Sequence, residues 1–240
     1  MRLVPLACLC VFLAAAGDPP SVATPKLHAN DTWTYVATVE NRTGWHQARV
    51  ETILDHASAM SIAISNKQVG APTPPVEEIF GPDWSRIRSV NGKETIVNRP
   101  LAFPLTVGKT WTLAYMEEHP NRAWLRRQVH LTYTVTGWED VTVPAGTFHA
   151  LKIEGEGQWT GTTAPHVAAA AGSRVDAAGA TTVTQTARSG PTTVTGRIYR
   201  AYWYVPAVKK WAKSQEEDYT PGGIRNERLT NELEAFKVGG

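Results

Sequence analysis

Leu125 to Ile153 is the stretch that most constrains how this chain can fold. Leu125, Val129, Leu131, Tyr133 and Val135 fall on one parity, and Arg126, Gln128, His130, Thr132, Thr134 and Thr136 on the other. A strand sends successive side chains to opposite faces, so this run has one apolar face and one wet face. Val143-Pro144-Ala145-Gly146 then fits a type I turn, with proline pre-setting φ at its second position and glycine at its fourth. Alternation resumes at once, with Leu151 and Ile153 expected inward and Lys152 and Glu154 outward. A long antiparallel hairpin follows from these residues.

The same signals recur along the chain. Trp33, Tyr35, Ala37 and Val39 share a parity, Asn41-Arg42-Thr43-Gly44 is a turn signal, and Val50–Leu54 and Met60–Ile64 complete a predicted three-stranded meander. From Val69 to Trp84 the pattern stops. Ala71-Pro72-Thr73-Pro74-Pro75 reads as a polyproline loop, and Glu77–Phe80 as one helical turn. Arg86–Val90 and Glu94–Val97 form a predicted hairpin about Asn91-Gly92, a strong hairpin signal. Trp111–Tyr115 reads as a strand that the polar run Glu117–Asn121 ends, and Gln158–Thr163 extends the second arm of the main hairpin. Ala164 to Thr181 has alanine runs and no apolar period, and is read as a mobile insertion at 164–181. Thr182–Arg188, Thr192–Tyr204 and Val208–Gln215 are strand material. Leu229–Phe236 fits either period and is assigned as a strand that covers an edge. Roughly ten or more short strands with almost no helix give an all-β fold: a single antiparallel sheet system, as a curved sandwich or a partly closed barrel.

The start of the chain reads as an address. Arg2 precedes an almost wholly apolar run, Leu3–Ala16, that ends on small residues ahead of Asp18 and two prolines. The run is too short to span a bilayer and reads as a signal peptide, 1–16, removed near Ala16. Residues 17–29 are predicted as a flexible leader and 30–240 as one β domain. Cys8 and Cys10 both lie in the signal, so the mature chain has no thiolate chemistry and no disulfide. Pro5 stands where a lipobox needs an aliphatic residue, so no lipid anchor is expected. The expected location is periplasmic or secreted, with no transmembrane segment in the mature chain. Net charge is +2, or +1 without Arg2, which points away from nucleic acid as a partner. Of the nine tryptophans, most are expected in the core.

No discriminating catalytic motif is present: no G-x-S-x-G, no H-E-x-x-H and no phosphate-cradling glycine loop. The seven histidines, His28, His46, His56, His119, His130, His149 and His166, show no metal-ligand spacing. His130 and His149 flank the main turn, but their parities oppose a shared face. Glu154 and Glu156, with Glu139 and Asp140, offer paired carboxylates of the kind that hydrolyse glycosides, although wet-face carboxylates are common on any soluble sheet. Glu216-Glu217-Asp218 reads as a solvated charge run. Tyr202-Trp203-Tyr204 with Lys209, Lys210, Trp211 and Lys213 mixes aromatics and cations, as nucleic-acid stacking platforms do. Cross-strand aromatic packing with snorkelling lysines accounts for the same residues. No catalytic, cofactor-binding or metal residue is assigned, and no cofactor is expected.

Three pieces, F-P-L-T-V-G-K-T-W at Phe103–Trp111, V-T-V-P-A-G-T-F at Val141–Phe148 and Y-W-Y-V-P-A-V-K at Tyr202–Lys209, resemble a family of exported bacterial β-sheet proteins classed only as a domain of unknown function (TapB-like). In that family a glycine commonly follows the proline of the third piece; here Ala207 stands instead. The resemblance implies an envelope protein with a curved antiparallel sheet, similar in outline to carriers of lipoproteins, and no known catalytic residues. The chain is accordingly expected to be a non-enzymatic envelope protein that binds an apolar ligand or an envelope partner in its concave face. The alternatives are a hydrolase of an envelope polymer using the paired carboxylates, or an assembly factor pairing through a sheet edge.

Overall fold

The computed structural model describes residues 21–176 and 179–239, with backbone only over 166–176 and 179–188. The expected signal peptide and the first residues of the leader lie outside the described residues. Fourteen strands are present among them: β1 (Thr32–Asn41), β2 (Gly44–Ala57), β3 (Ile62–Gln68), β4 (Val76–Phe80), β5 (Arg86–Val90), β6 (Lys93–Asn98), β7 (Thr110–Asn121), β8 (Trp124–Val143), β9 (Gly146–Thr163), β10 (His166–Asp176), β11 (Gly179–Ser189), β12 (Thr193–Val205), β13 (Lys210–Tyr219) and β14 (Arg225–Lys237). One 3-10 turn, Pro206–Val208, precedes β13. Twelve strands form a single antiparallel sheet in the order β6-β5-β4-β3-β2-β1-β14-β13-β12-β9-β8-β7.

That sheet curls into a nearly closed barrel. The β8–β9 hairpin is its longest unit, and Val129, Leu131, Tyr133 and Val135 are all buried while Arg126, Gln128, His130 and Thr132 are exposed. A register shift between Val135 and Gly137 bends it. Along β9 the inward positions include Gly155, where an added Cβ would lie 2.5 Å from the Tyr133 ring. Glycine leaves the space that the ring occupies, and Tyr133 in turn stacks on Trp111 at 5.4 Å. The core inside the curl is filled by Trp33, Trp84, Tyr133, Tyr202, Tyr204, Leu54, Leu101, Leu151, Ile153 and Leu233, each 2% exposed or less.

Side chains, not a backbone ladder, close the seam between the terminal strands. Arg88 grips Glu117 of β7 with two bonds of 2.6 and 2.8 Å. The Asn91 amide accepts from Glu118 N at 2.8 Å and donates to Met116 O at 3.0 Å, as a facing strand residue would. Asn91 and Gly92 carry the positive φ values, 52° and 76°, that a two-residue hairpin turn of this hand requires. The outward residues of β8 are polar, the reverse of a lipid-facing barrel wall. Among the described residues no helix is long and apolar enough to cross a membrane.

Several expectations need correction. Val76–Phe80 is strand β4, paired with β3, and not a helical turn. Its inward side carries Glu78, bonded to Asn66 at 2.6 Å, so the apolar alternation is interrupted. Met60 lies in the β2–β3 turn, 85% exposed. Glu117–Asn121 continues β7. The expected insertion at 164–181 contains, among its described residues, β10 and the start of β11, which pair with each other in a two-stranded sheet apart from the twelve-stranded one. Four successive alanines put the same residue on both faces, so no alternation could be read there. The chain leading into β1 is tied down by a two-way backbone pairing of Val22 with Leu105 at 2.8 Å. Asp31, buried, receives Gly239 N at 2.6 Å and His28 N at 3.0 Å, which holds the entry to β1 against the C-terminal end.

Candidate functional site

Lys210 has the same strand parity as Ala212 and Ser214, and all three are buried. The β13 backbone therefore carries a primary amine into the barrel. Lys210 Nζ lies 4.5 Å from the ring centroid of Trp84, 5.1 Å from Trp33 and 5.2 Å from both Tyr35 and Trp211. The rings are fixed by their own bonds: Trp33 Nε1 donates to Val208 O at 2.8 Å and Tyr35 OH to Trp211 O at 2.7 Å. Aromatic faces attract the ammonium form. Burial works the other way and pushes the amine down to about 7, opposed by the negative charge of Glu78.

Trp84 reaches this position from the loop between β4 and β5. Those strands share only the Phe80↔Arg86 pair, and Gly81–Ser85 turns inward on a Gly81 N to Ser85 O bond of 2.8 Å. Trp84 has a positive φ of 60°, a costly backbone for a bulky residue. The residue is 1% exposed, its ring packs edge-on to Trp33 at 5.4 Å, and its Nε1 has no hydrogen-bond partner among the described residues.

The loop is also a wall. On its inner side is a cavity of about 270 Å³ whose lining includes Trp84, Lys210, Trp211, Tyr202, Glu78 and Asn231. A hydrogen-bonded chain borders it: Tyr133 OH donates to Asn98 at 2.7 Å, Asn98 to Tyr202 OH at 2.8 Å, and Tyr202 OH to Glu216 at 3.0 Å. Arg200 contacts Glu216 at 3.2 Å and Asp218 at 3.0 Å. Burial, and next the Glu216 charge, raise Tyr202 well above the ordinary phenol range. Burial disfavours the Arg200 charge, but Glu216 and Asp218 outweigh it and the guanidinium is held charged.

On the outer side of the loop, at one end of the barrel, is an open groove of about 830 Å³. Leu27, Met60, Ile62, Ile87, Ile96 and Phe103 supply apolar surface, and Lys26 and an Arg99–Asp83 pair at 2.8 Å supply polar groups.

Of the carboxylates considered in the sequence, Glu139, Glu154 and Glu156 lie elsewhere, on the outer face, and Asp140 is on the opposite parity. Lys152 Nζ bridges Glu154 at 2.9 Å and Glu139 at 3.9 Å. Glu139 also accepts from Trp203 Nε1 at 2.6 Å and Glu154 from Tyr199 OH at 2.8 Å. Asp140 is bonded to His149, which stacks on Trp138, and Glu156 is exposed. Lys152 brings Glu139 and Glu154 together on the outer face, whereas Asp140 has the opposite parity and is engaged by His149, so the four carboxylates do not form one group. His130 pairs across the hairpin with Gln158 and does not meet His149. No group of three metal-ligating side chains occurs among the described residues.

Two readings of charge fail. Glu217 is not solvated: it is 4% exposed, accepts from Arg228 Nε at 2.6 Å and from Tyr219 OH, and stands 3.7 Å from Arg225. Lys210 does not snorkel, although Lys213 does, with its amine on Glu232 at 2.7 Å and over Trp203. The signal for Lys210 was present in its parity with Ala212. For Glu217 no local signal existed, because its arginine partners come from β14.

The three motif pieces act as backbone devices. Lys109 Nζ bonds the carbonyls of Ala102 and Pro104. Ala145 N bonds Leu233 O at 2.9 Å, which hooks the main turn onto β14. In the third piece the positive φ falls on Lys209, at 61°, so Ala207 needs no glycine.

No family model matches the chain, and no curated protein matches it. Three solved structures are similar in outline. A candidate lipoprotein of Parabacteroides distasonis aligns at 14% identity over 91% of this chain and all of its own, with a TM-score of 0.45. A candidate exported protein of Bacteroides fragilis with a YmcC-like fold aligns at 13% over 91% and 100%, with a TM-score of 0.41. The hypothetical lipoprotein YmcC of Escherichia coli aligns at 11% over 82% and 83%, with a TM-score of 0.33. None of these reaches a TM-score of 0.5, and no function follows from them.

Proposed function

We propose that this is an exported, non-enzymatic binding protein of the cell envelope that holds an apolar chain in the groove at the end of its barrel. The observation that carries this reading is the groove itself, about 830 Å³, with Met60 and Ile96 exposed on its wall in front of a filled core. Its volume is in the range of small-molecule sites. Lys26 and Arg99 give the polar end of an amphipathic molecule something to meet. Among the described residues the inward positions are filled by large side chains such as Trp33, Tyr133, Tyr202 and Tyr204, which favours the groove over the concave interior. The side-chain closure between Arg88, Asn91 and β7 counts against partner binding by edge pairing. The sharing of Lys152 by Glu139 and Glu154, with Asp140 turned to the other side, counts against a hydrolase. Export is proposed on the Arg2 and Leu3–Ala16 pattern.

The test is native mass spectrometry of the protein purified from its own envelope, followed by displacement of a fluorescent fatty acid. Met60→Asp with Ile96→Asp should weaken binding by about thirtyfold, since two apolar contacts worth about 1 kcal/mol each, about 2 kcal/mol together, are replaced by charge. Unchanged binding in that variant, or no co-purifying apolar molecule, refutes the reading. Intact mass distinguishes a chain cleaved after Ala16 from one acylated at Cys8 or Cys10.

A further inference from the structure

The inner cavity is separate from the groove and contains chemistry that the groove reading leaves unused. Lys210 Nζ is enclosed by four aromatic rings, with no carboxylate paired to it and no hydrogen bond from any described residue. A lysine held this way is a poor stabilising element, because a buried charge without a partner is costly. The surrounding structure nevertheless commits strain to the arrangement, since Trp84 lies over the amine on a left-handed backbone with its own Nε1 unpartnered. The cavity of about 270 Å³ meets this amine, and Arg86 is the exposed member of its lining, which gives a side from which a small solute can enter.

We propose that the inner cavity is a reversible covalent binding site for small aldehydes and ketones, with Lys210 Nζ as the nucleophile. The amine lone pair adds to the carbonyl carbon and the C=O π electrons move to oxygen. One N–H proton transfers to that oxygen, giving a carbinolamine. Loss of water, which removes the oxygen and the second N–H hydrogen, leaves a C=N bond to Lys210; hydration reverses every step. Desolvated lysines in apolar pockets are suited to this chemistry because the neutral amine is present near neutral pH. Burial has that effect here, bringing Lys210 down to about 7. The cavity takes a fragment of a few carbons, not a long chain, so the ligand differs in kind from that of the groove.

The test is reductive trapping of the whole mature protein with butanal and cyanoborohydride at pH 7, with each lysine quantified by peptide mapping. Lys210 should be alkylated at least about tenfold faster than Lys213, which is ion-paired to Glu232 on the outer face. Its rate should climb from pH 6 to 8 and then level, while surface lysines keep rising. The titratable and charged groups that share the cavity are Glu78, Arg86, Glu216, Tyr35 and Tyr202. Lys210→Arg should abolish the preferred label with the circular dichroism unchanged; if that variant does not fold, the wild-type map alone decides. Lys210 labelled no faster than Lys213 overturns the proposal. Met60→Asp should leave the Lys210 label intact, so loss of the groove reading and loss of this one give different results.

Discussion

Replacing Lys210 by methionine should make this protein's stability lose part of its pH dependence, and the size of the loss follows from the aromatic cage. The amine has an ordinary value of 10.5 and a folded value of about 7. Between those values the unfolded chain binds a proton that the folded chain does not, so folding becomes more favourable as pH rises through that window. Below about pH 7 both states are protonated and the full penalty remains. Each pKa unit is worth about 1.36 kcal/mol, which gives a penalty of about 4 kcal/mol at pH 7 and a relief of about 2.5 kcal/mol between pH 6 and pH 9. Attraction of the rings for the ammonium form, about 1–2 kcal/mol, trims these figures. Methionine keeps the length, makes sulfur–aromatic contacts and cannot titrate. Urea unfolding of both proteins at pH 6, 7.5 and 9 measures the difference, and histidine contributions cancel in it. The variant should be the more stable at pH 6, with its advantage shrinking by about 1–2.5 kcal/mol by pH 9. A pH-independent difference would show that Lys210 titrates as an ordinary lysine, and the account of the cavity would then be wrong.

Glu217→Gln should cost about 2–3 kcal/mol, because a buried carboxylate loses charge-assisted bonds from Arg228 and Tyr219. Burial raises the Glu217 carboxyl, but those two bonds outweigh it and lower the net value, so its stabilisation is present above the usual carboxylate range and is lost as pH falls through the lowered value; acid unfolding of the variant should be correspondingly flatter. Gly155→Ala places a Cβ 2.5 Å from the buried Tyr133 ring and should cost about 1–3 kcal/mol in urea unfolding; a loss under about 0.5 kcal/mol would mean that the ring can yield. Arg88→Ala, at an exposed pair, should change global stability by less than about 1 kcal/mol yet speed hydrogen exchange of Glu118 and its neighbours in β7; unchanged exchange would show that the seam does not depend on Arg88.

The wall of the barrel was legible wherever one side chain in two is apolar. Val129, Leu131, Tyr133 and Val135 went inward, Asn91-Gly92 turned as expected, and Leu229–Phe236 proved to be strand within β14. Legibility failed where a polar residue takes an inward position. Glu78 interrupts the apolar alternation of β4, and Lys210, a snorkelling cation by composition, is buried as the parity of Ala212 and Ser214 requires. It also failed at Ala168–Ala171, where both faces carry the same residue.

What the residues decided by themselves was local: strand period, turn positions and one antiparallel layer. Each depends on neighbours a few positions apart. What only the tertiary structure decided was which polar groups lose water. Trp33 and Tyr35 of β1, Trp84 of the β4–β5 loop, and Lys210 with Trp211 of β13 come from three distant stretches of the chain, and they meet only because β1 and β13 flank β14 in a curved sheet and the Gly81–Ser85 loop folds in. Desolvation is set by everything that surrounds a group, and no short stretch of sequence contains that information.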